Sequence, residues 1–135
     1  MWKSEIVQGA DLDVAEVAAL YRASTLAERR PVEETARFTD MLRNANLIVV
    51  ARSDARLVGI ARSLTDGAYT TYLSDIAVDA EFQSHGIGRD LIAKTREAAP
   101  RAKVVLLSAP AASGYYPHVG FHQHNSAWVM DPLEP

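Results

Sequence analysis

The chain has 135 residues, 48% hydrophobic and 23% charged, which suits one globular domain with a single core and argues against two. Fourteen Lys and Arg against 17 Asp and Glu leave a net charge of −3, so phosphate-backbone binding is disfavoured and no nucleic-acid partner is expected. The absence of cysteine excludes disulfides, thiolate metal sites and covalent cysteine intermediates.

Met1 to Gln8 lacks the apolar run and small-residue cleavage site of a signal peptide, and no later run approaches a membrane span. A soluble cytoplasmic protein with no membrane partner is expected. Glu5 to Gln8 reads as a short first strand. Asp11 or Asp13 then caps a helix that sets Val14, Val17, Leu20 and Tyr21 on one face. After a loop from Ser24 to Arg30, Pro31 opens a second helix. Glu33 and Glu34 suit the positive end of its dipole, and Phe38, Met41, Leu42 and Ala45 form its buried stripe.

Beyond Asn44-Ala45-Asn46 the period changes. Leu47 to Ala51 and Leu57 to Ala61 are β-type runs separated by Ser53-Asp54-Ala55-Arg56, a hairpin signal, and Tyr69 to Val78 continues the sheet. A helix from Gly86 to about Ala99 turns Ile87, Leu91, Ile92 and Thr95 inward and stops at Pro100. Val104 to Leu107 is continuously apolar, as expected of a central strand parallel to the one before the helix. A short Pro110 to His118 segment with helical character precedes Gly120-Phe121 and a final strand through Trp128-Val129-Met130. The order β-α-α-β-β-β-α-β-α-β defines a mixed sheet in an α+β architecture.

The most informative stretch is Gln83-Ser84-His85-Gly86-Ile87-Gly88-Arg89, where a strand feeds a glycine-containing turn that opens a helix. Gly86 and Gly88 carry no Cβ, so an anion can approach the free N–H groups of the first helical turn; the same pair also fits close packing or positive φ. A dinucleotide fingerprint requires glycine where Leu91 stands, and a P-loop requires a Gly-Lys-Ser/Thr that the chain lacks.

The pattern Gln83-x-x-Gly86-x-Gly88, placed after Leu73-Ser74-Asp75-Ile76-Ala77-Val78, resembles the central motif of the GNAT superfamily of acyl-CoA-dependent N-acyltransferases. Tyr116-Pro117-His118-Val119-Gly120-Phe121 matches a second feature of that family, a tyrosine four residues before Gly-Phe. The resemblance covers nearly the whole chain in element order, with specific motifs only from Tyr69 to Phe121. It implies one GNAT-like domain over residues 1–135, with flanking helices and a mixed β-sheet whose splayed central parallel strands admit the pantetheine arm of acetyl-CoA. The backbone of Ile76, Ala77 and Val78 is implied to bond that arm. The N–H groups of Gln83, Ser84, His85, Gly86, Ile87 and Gly88, with Arg89, are implied to hold the pyrophosphate. Lys94 reads as a surface residue. The implied acceptor is a primary amine of a small molecule or peptide. Many relatives pair, which leaves a homodimer open, although no apolar stripe here specifies an interface.

Attack of an amine on a thioester needs a neutral nucleophile and some answer to the departing thiolate. Asp75 is the nearest carboxylate to the motif and the candidate base; the competing reading has it bonded to a backbone group or an Arg. Tyr72 is an alternative that positions a water. Tyr116 is the candidate donor to the leaving sulfur, a role the resemblance supports, while Tyr115 reads as a packing aromatic. The acceptor pocket is expected from the Ser24 to Arg30 loop, the turn at Asp66-Gly67 and the segment His122 to Trp128. Arg29 and Arg30 there bind an acceptor carboxylate or form a solvated pair. His118, His122 and His124 lack metal-ligand spacing, so no metal is expected. A non-catalytic acyl-CoA sensor or interaction module of the same fold is the competing function.

Overall fold

The β-type runs of the chain close into a five-stranded sheet. In the computed structural model, which describes residues 1–134, β1 (Trp2–Val7), β2 (Leu47–Ser53), β3 (Arg56–Thr65), β4 (Thr70–Val78) and β5 (Lys103–Val105) lie side by side in chain order. All neighbours are antiparallel except the parallel pair β4 and β5. Helices α1 (Val14–Ala23) and α2 (Thr35–Asn44) cover one face, burying Val17, Tyr21, Phe38 and Leu42 against Ile48, Val50, Ile60 and Ala77. Helix α3 (Ile87–Ala98) covers the other, where Ile87, Leu91 and Ile92 meet Val49, Val58, Ala61 and Leu73. Among the described residues no helix is long and apolar enough to cross a membrane.

Asp13 is the cap of α1, its carboxylate accepting from the N–H groups of Ala15 and Glu16 at 3.0 and 3.4 Å. The second helix starts later than expected, at Thr35. Pro31 instead belongs to a turn closed by Glu34 N–H on Pro31 O at 3.1 Å, because Arg30 is extended and Val32 is buried. Close approach of α3 to β3 explains Gly59, where a Cβ would lie 2.8 Å from Ile87 Cγ2.

The register of β4 positions the site. Arg62 pairs with Asp75 and Ser63 with Leu73, so Ser74 is an extra residue, a bulge that bends the strand. On the other edge, pairing with β5 runs only through Thr70↔Lys103, Thr71↔Val104 and Tyr72↔Val105. The two parallel strands therefore part immediately before the bulge, and among the described residues Leu73 to Val78 keep β3 as their single strand partner.

The last third departs from expectation. The apolar run after Ala102 forms a strand only over Lys103–Val105 and lies at the edge of the sheet rather than inside it. Residues 110–118 contribute two short 3₁₀ turns, Pro110–Ala112 and Tyr116–Val119, in place of a helix. Among the described residues no final strand forms. Trp128 and Met130 are 93% and 95% exposed, because a three-residue edge strand offers too short a ladder for another strand to pair with.

Candidate active site

The turn after β4 is built by local hydrogen bonds. Asp79 is buried; its N–H reaches Val58 O and its carboxylate accepts from Glu81 N–H, both at 2.9 Å, and Phe82 N–H bonds Asp79 O at 2.8 Å. The chain then passes through left-handed Ser84 (φ 67°) and Gly86 (φ 86°) into α3. Ser84 is a non-glycine residue in that region, a conformation held by its surroundings and concentrated at functional turns.

Ile87 anchors the helix start in the core, while Gln83 to Gly86 are exposed. The first helical bond is Asp90 N–H to Gly86 O at 3.1 Å, which leaves the N–H groups of Ile87, Gly88 and Arg89 without helical acceptors. The Gln83 side-chain amide donates to Val78 O at 3.3 Å and ties the turn to the end of β4. His85 folds onto its own loop, with Nδ1 3.0 Å from Phe82 O. Exposed, positively polarised N–H groups of this kind suit an anion.

Gly88 faces the tyrosine pair. A Cβ there would lie 2.9 Å from Tyr115 Oη and 3.9 Å from Val78 Cγ2, so the turn, the end of β4 and Tyr115 converge on one glycine. Tyr115 thus reaches the turn instead of serving only as packing, a placement no spacing rule signalled. Tyr116 stacks edge-on against Phe121 with ring centroids 5.5 Å apart, and its ring packs on the α3 side of the core. The two tyrosine rings meet edge-on at 5.4 Å. Burial pushes both phenols above their ordinary value; the charge of Arg89 offsets this in part for Tyr115, and that of Arg29 for Tyr116. Both remain protonated donors at neutral pH.

Asp75 lies elsewhere, under α1 and 1% exposed. It accepts from Tyr21 Oη at 2.7 Å, Arg62 Nε at 2.6 Å and Arg30 Nε at 2.5 Å. Burial alone would raise its carboxyl, but the charge and hydrogen bond of Arg62, with the bonds from Tyr21 and Arg30, hold it below the usual carboxylate range. A carboxylate so placed is a poor proton acceptor. The geometry therefore favours the Arg-paired reading of Asp75 over the general base. Arg30 is likewise no solvated charge, since its guanidinium also donates to Ser74 O and Arg29 O, each at 2.8 Å. It pins the Ser24 to Arg30 loop across β4 and leaves Arg29 exposed. Arg62, buried directly after the apolar run Val58-Gly59-Ile60-Ala61, is the third member of this cluster, and a charge at the end of that run was its signal in the sequence.

The turn at Asp66 is preorganised: N–H groups of Tyr69, Ala68 and Thr70 hold its carboxyl down to about 2. Among the described residues no three His, Asp or Glu side chains are grouped as metal ligands.

A mixed sheet that opens beside a glycine-bearing helix N-terminus defines the class, and comparison with known proteins gives the family. The family profile of the acetyltransferase (GNAT) domain matches residues 17–133, and the chain belongs to that family. It is 28% identical over 88 residues to an uncharacterized N-acetyltransferase, ycf52, of Pyropia yezoensis, an alignment covering 59% of this chain; the chain spans about half the length, 50%, of that curated relative. Among solved structures, a GNAT-family acetyltransferase of Streptococcus pneumoniae superposes with a TM-score of 0.75 at 21% identity over 98% of this chain and 100% of the other. An aminoglycoside acetyltransferase from an uncultured soil metagenomic sample, solved with sisomicin, gives 0.73 at 19% over 98% and 97%. The aminoglycoside N-acetyltransferase AAC(6')-Iy, solved with CoA, gives 0.73 at 15% over 98% and 95%.

Proposed function

We propose that residues 1–135 act as one N-acetyltransferase domain that moves an acetyl group from acetyl-CoA to a primary amine of a small molecule or peptide. The observation that carries this reading is the coincidence of two openings: β4 loses its parallel partner after Tyr72, and the same strand ends at the glycine turn. The pantetheine arm lies along Ile76, Ala77 and Val78 in place of the missing strand. The pyrophosphate sits on the N–H groups of Gln83 to Gly88, with Arg89 beside it. CoA bound to one structural neighbour supports the cofactor, and sisomicin bound to another supports an amine acceptor.

In the reaction the amine nitrogen bonds the thioester carbonyl carbon, the carbon–sulfur bond breaks and the nitrogen loses a proton. An alkylamine is only about one part in a thousand neutral at pH 7.4, so that proton must be removed. With Asp75 committed to its arginines, water carries it away, and Tyr72 at the point of splay positions that water. Tyr116 donates to the sulfur as negative charge builds there. Its raised phenol makes complete transfer uphill, so its contribution is a hydrogen bond that strengthens toward the transition state. Calorimetric titration of CoA tests the cofactor assignment. Saturable binding that Gly88→Val abolishes supports it, and no binding by the wild type overturns it.

A further inference from the structure

Two carboxylates stand at the entrance to the turn that receives the pyrophosphate. Asp79 is buried and Glu81 is exposed, and both precede Gln83 in the chain. A site for a dianionic group does not ordinarily open with two negative charges. Arg56, the first residue of β3 after the hairpin, answers both. Its Nη2 lies 2.8 Å from Asp79 Oδ2 and 2.8 Å from Glu81 Oε2, and its guanidinium carbon lies 5.1 Å from the Phe82 ring centroid. One cation from the β2–β3 hairpin therefore contacts three of the four residues between β4 and Gln83.

We propose that Arg56 is a positioning and specificity residue for the nucleotide end of the cofactor: it neutralises Asp79 and Glu81 and fixes the approach to the glycine turn, so that a pyrophosphate-bearing thioester is accepted. The inference rests on the CoA reading above. The Arg56–Glu81 pair is exposed and contributes little to folding, whereas Asp79 is buried, so losing Arg56 also costs some stability; the difference between CoA and pantetheine affinity isolates the effect on cofactor binding. Unmasking two carboxylates beside a dianion acts through space and fades with salt.

The test is calorimetric titration of CoA, and of pantetheine, which lacks the phosphates, into the intact protein. Arg56→Gln is expected to weaken CoA roughly five- to thirtyfold at low salt and to leave pantetheine within about twofold, with a lower melting temperature because the buried Asp79 loses its counter-ion. Arg56→Lys retains most of the affinity. Arg56→Gln with Glu81→Gln recovers at least half of the logarithmic loss, which a purely structural brace does not predict. Glu81→Gln alone, at an exposed position, tightens CoA roughly two- to fivefold, an effect that high salt removes. Wild-type CoA affinity in Arg56→Gln overturns the inference, as does an equal loss for pantetheine. Should Arg56→Gln fail to fold, an unchanged CoA affinity in Glu81→Gln overturns it. Absence of CoA binding by the wild type defeats the cofactor reading itself, a result distinct from these.

Discussion

Asp75→Asn separates a structural carboxylate from a catalytic one. Asparagine keeps the shape and one acceptor oxygen but removes the charge facing Arg62 and Arg30. Arg62 is 7% exposed and cannot turn to water, so its guanidinium is left buried without a counter-ion. Removing one partner of a buried pair costs about 3–5 kcal/mol, a large part of the 5–15 kcal/mol by which such domains are stable. At this chain length that corresponds to a fall of roughly 10–20 °C in melting temperature. Arg30→Ala, at the more open side of the cluster, should cost less, about 1–2 kcal/mol. Asp75→Leu with Arg62→Met should be milder than the sum of the single changes, because no fully buried ion is left unpaired; Arg30, with 21% of its side chain exposed, can turn to water, and the residual cost includes the lost acceptor of Tyr21 Oη. Urea unfolding at pH 7 with linear extrapolation measures each value. An Asp75→Asn protein within about 1 kcal/mol of wild type, with kcat reduced and the acid limb of its pH profile lost, refutes the structural assignment and restores Asp75 as the base.

The same cluster sets an acid limit. The folded carboxyl of Asp75 lies below its unfolded value of about 3.9, so its stabilisation is complete above roughly pH 5 and is lost as pH falls through the folded value. The stability gap between wild type and Asp75→Asn, followed by urea melts, should therefore narrow below about pH 4. Tyr116→Phe should lower the single-turnover rate roughly ten- to a thousandfold with CoA affinity within about threefold; unchanged rates would remove the phenol from the mechanism. Tyr115→Phe, which loses the hydroxyl over Gly88, should spare the chemical step, and a large fall in its single-turnover rate would reverse the roles of the two tyrosines. Gly88→Val places its branches toward Tyr115 Oη and the pyrophosphate, so CoA should no longer raise the melting temperature while the free protein still melts cooperatively.

What the sequence made legible was local. Asp13, the Ser53 to Arg56 hairpin and the strand–glycine turn–helix from Leu73 to Ala98 rest on capping, turn and periodicity rules that act within a few residues, and each stands in the fold. The parallel pairing was legible through its continuous apolar run, but its position and length were not. Whether Val104 to Leu107 is central depends on whether a later segment pairs with it, and that is decided by tertiary contacts. The same dependence explains why Trp128 to Met130, with good strand propensity, remain outside the sheet. At the site, the glycines and Tyr116 were visible as a spaced motif. The Asp75, Arg30, Arg62 and Tyr21 cluster was not, because its members come from four separate segments and no spacing records their meeting. The reach of Arg56 across to Asp79 and Glu81 has no signature in sequence spacing for the same reason.

Amine-dependent release of free CoA thiol from acetyl-CoA, run across small amines, polyamines, amino acids and peptide N-termini, tests the central claim most directly. The account predicts release that requires an amine, saturates with it, and matches the N-acetylated product mole for mole. Saturable acetyl-CoA binding with no amine-dependent release for any acceptor would contradict it and make the domain a sensor of the cofactor.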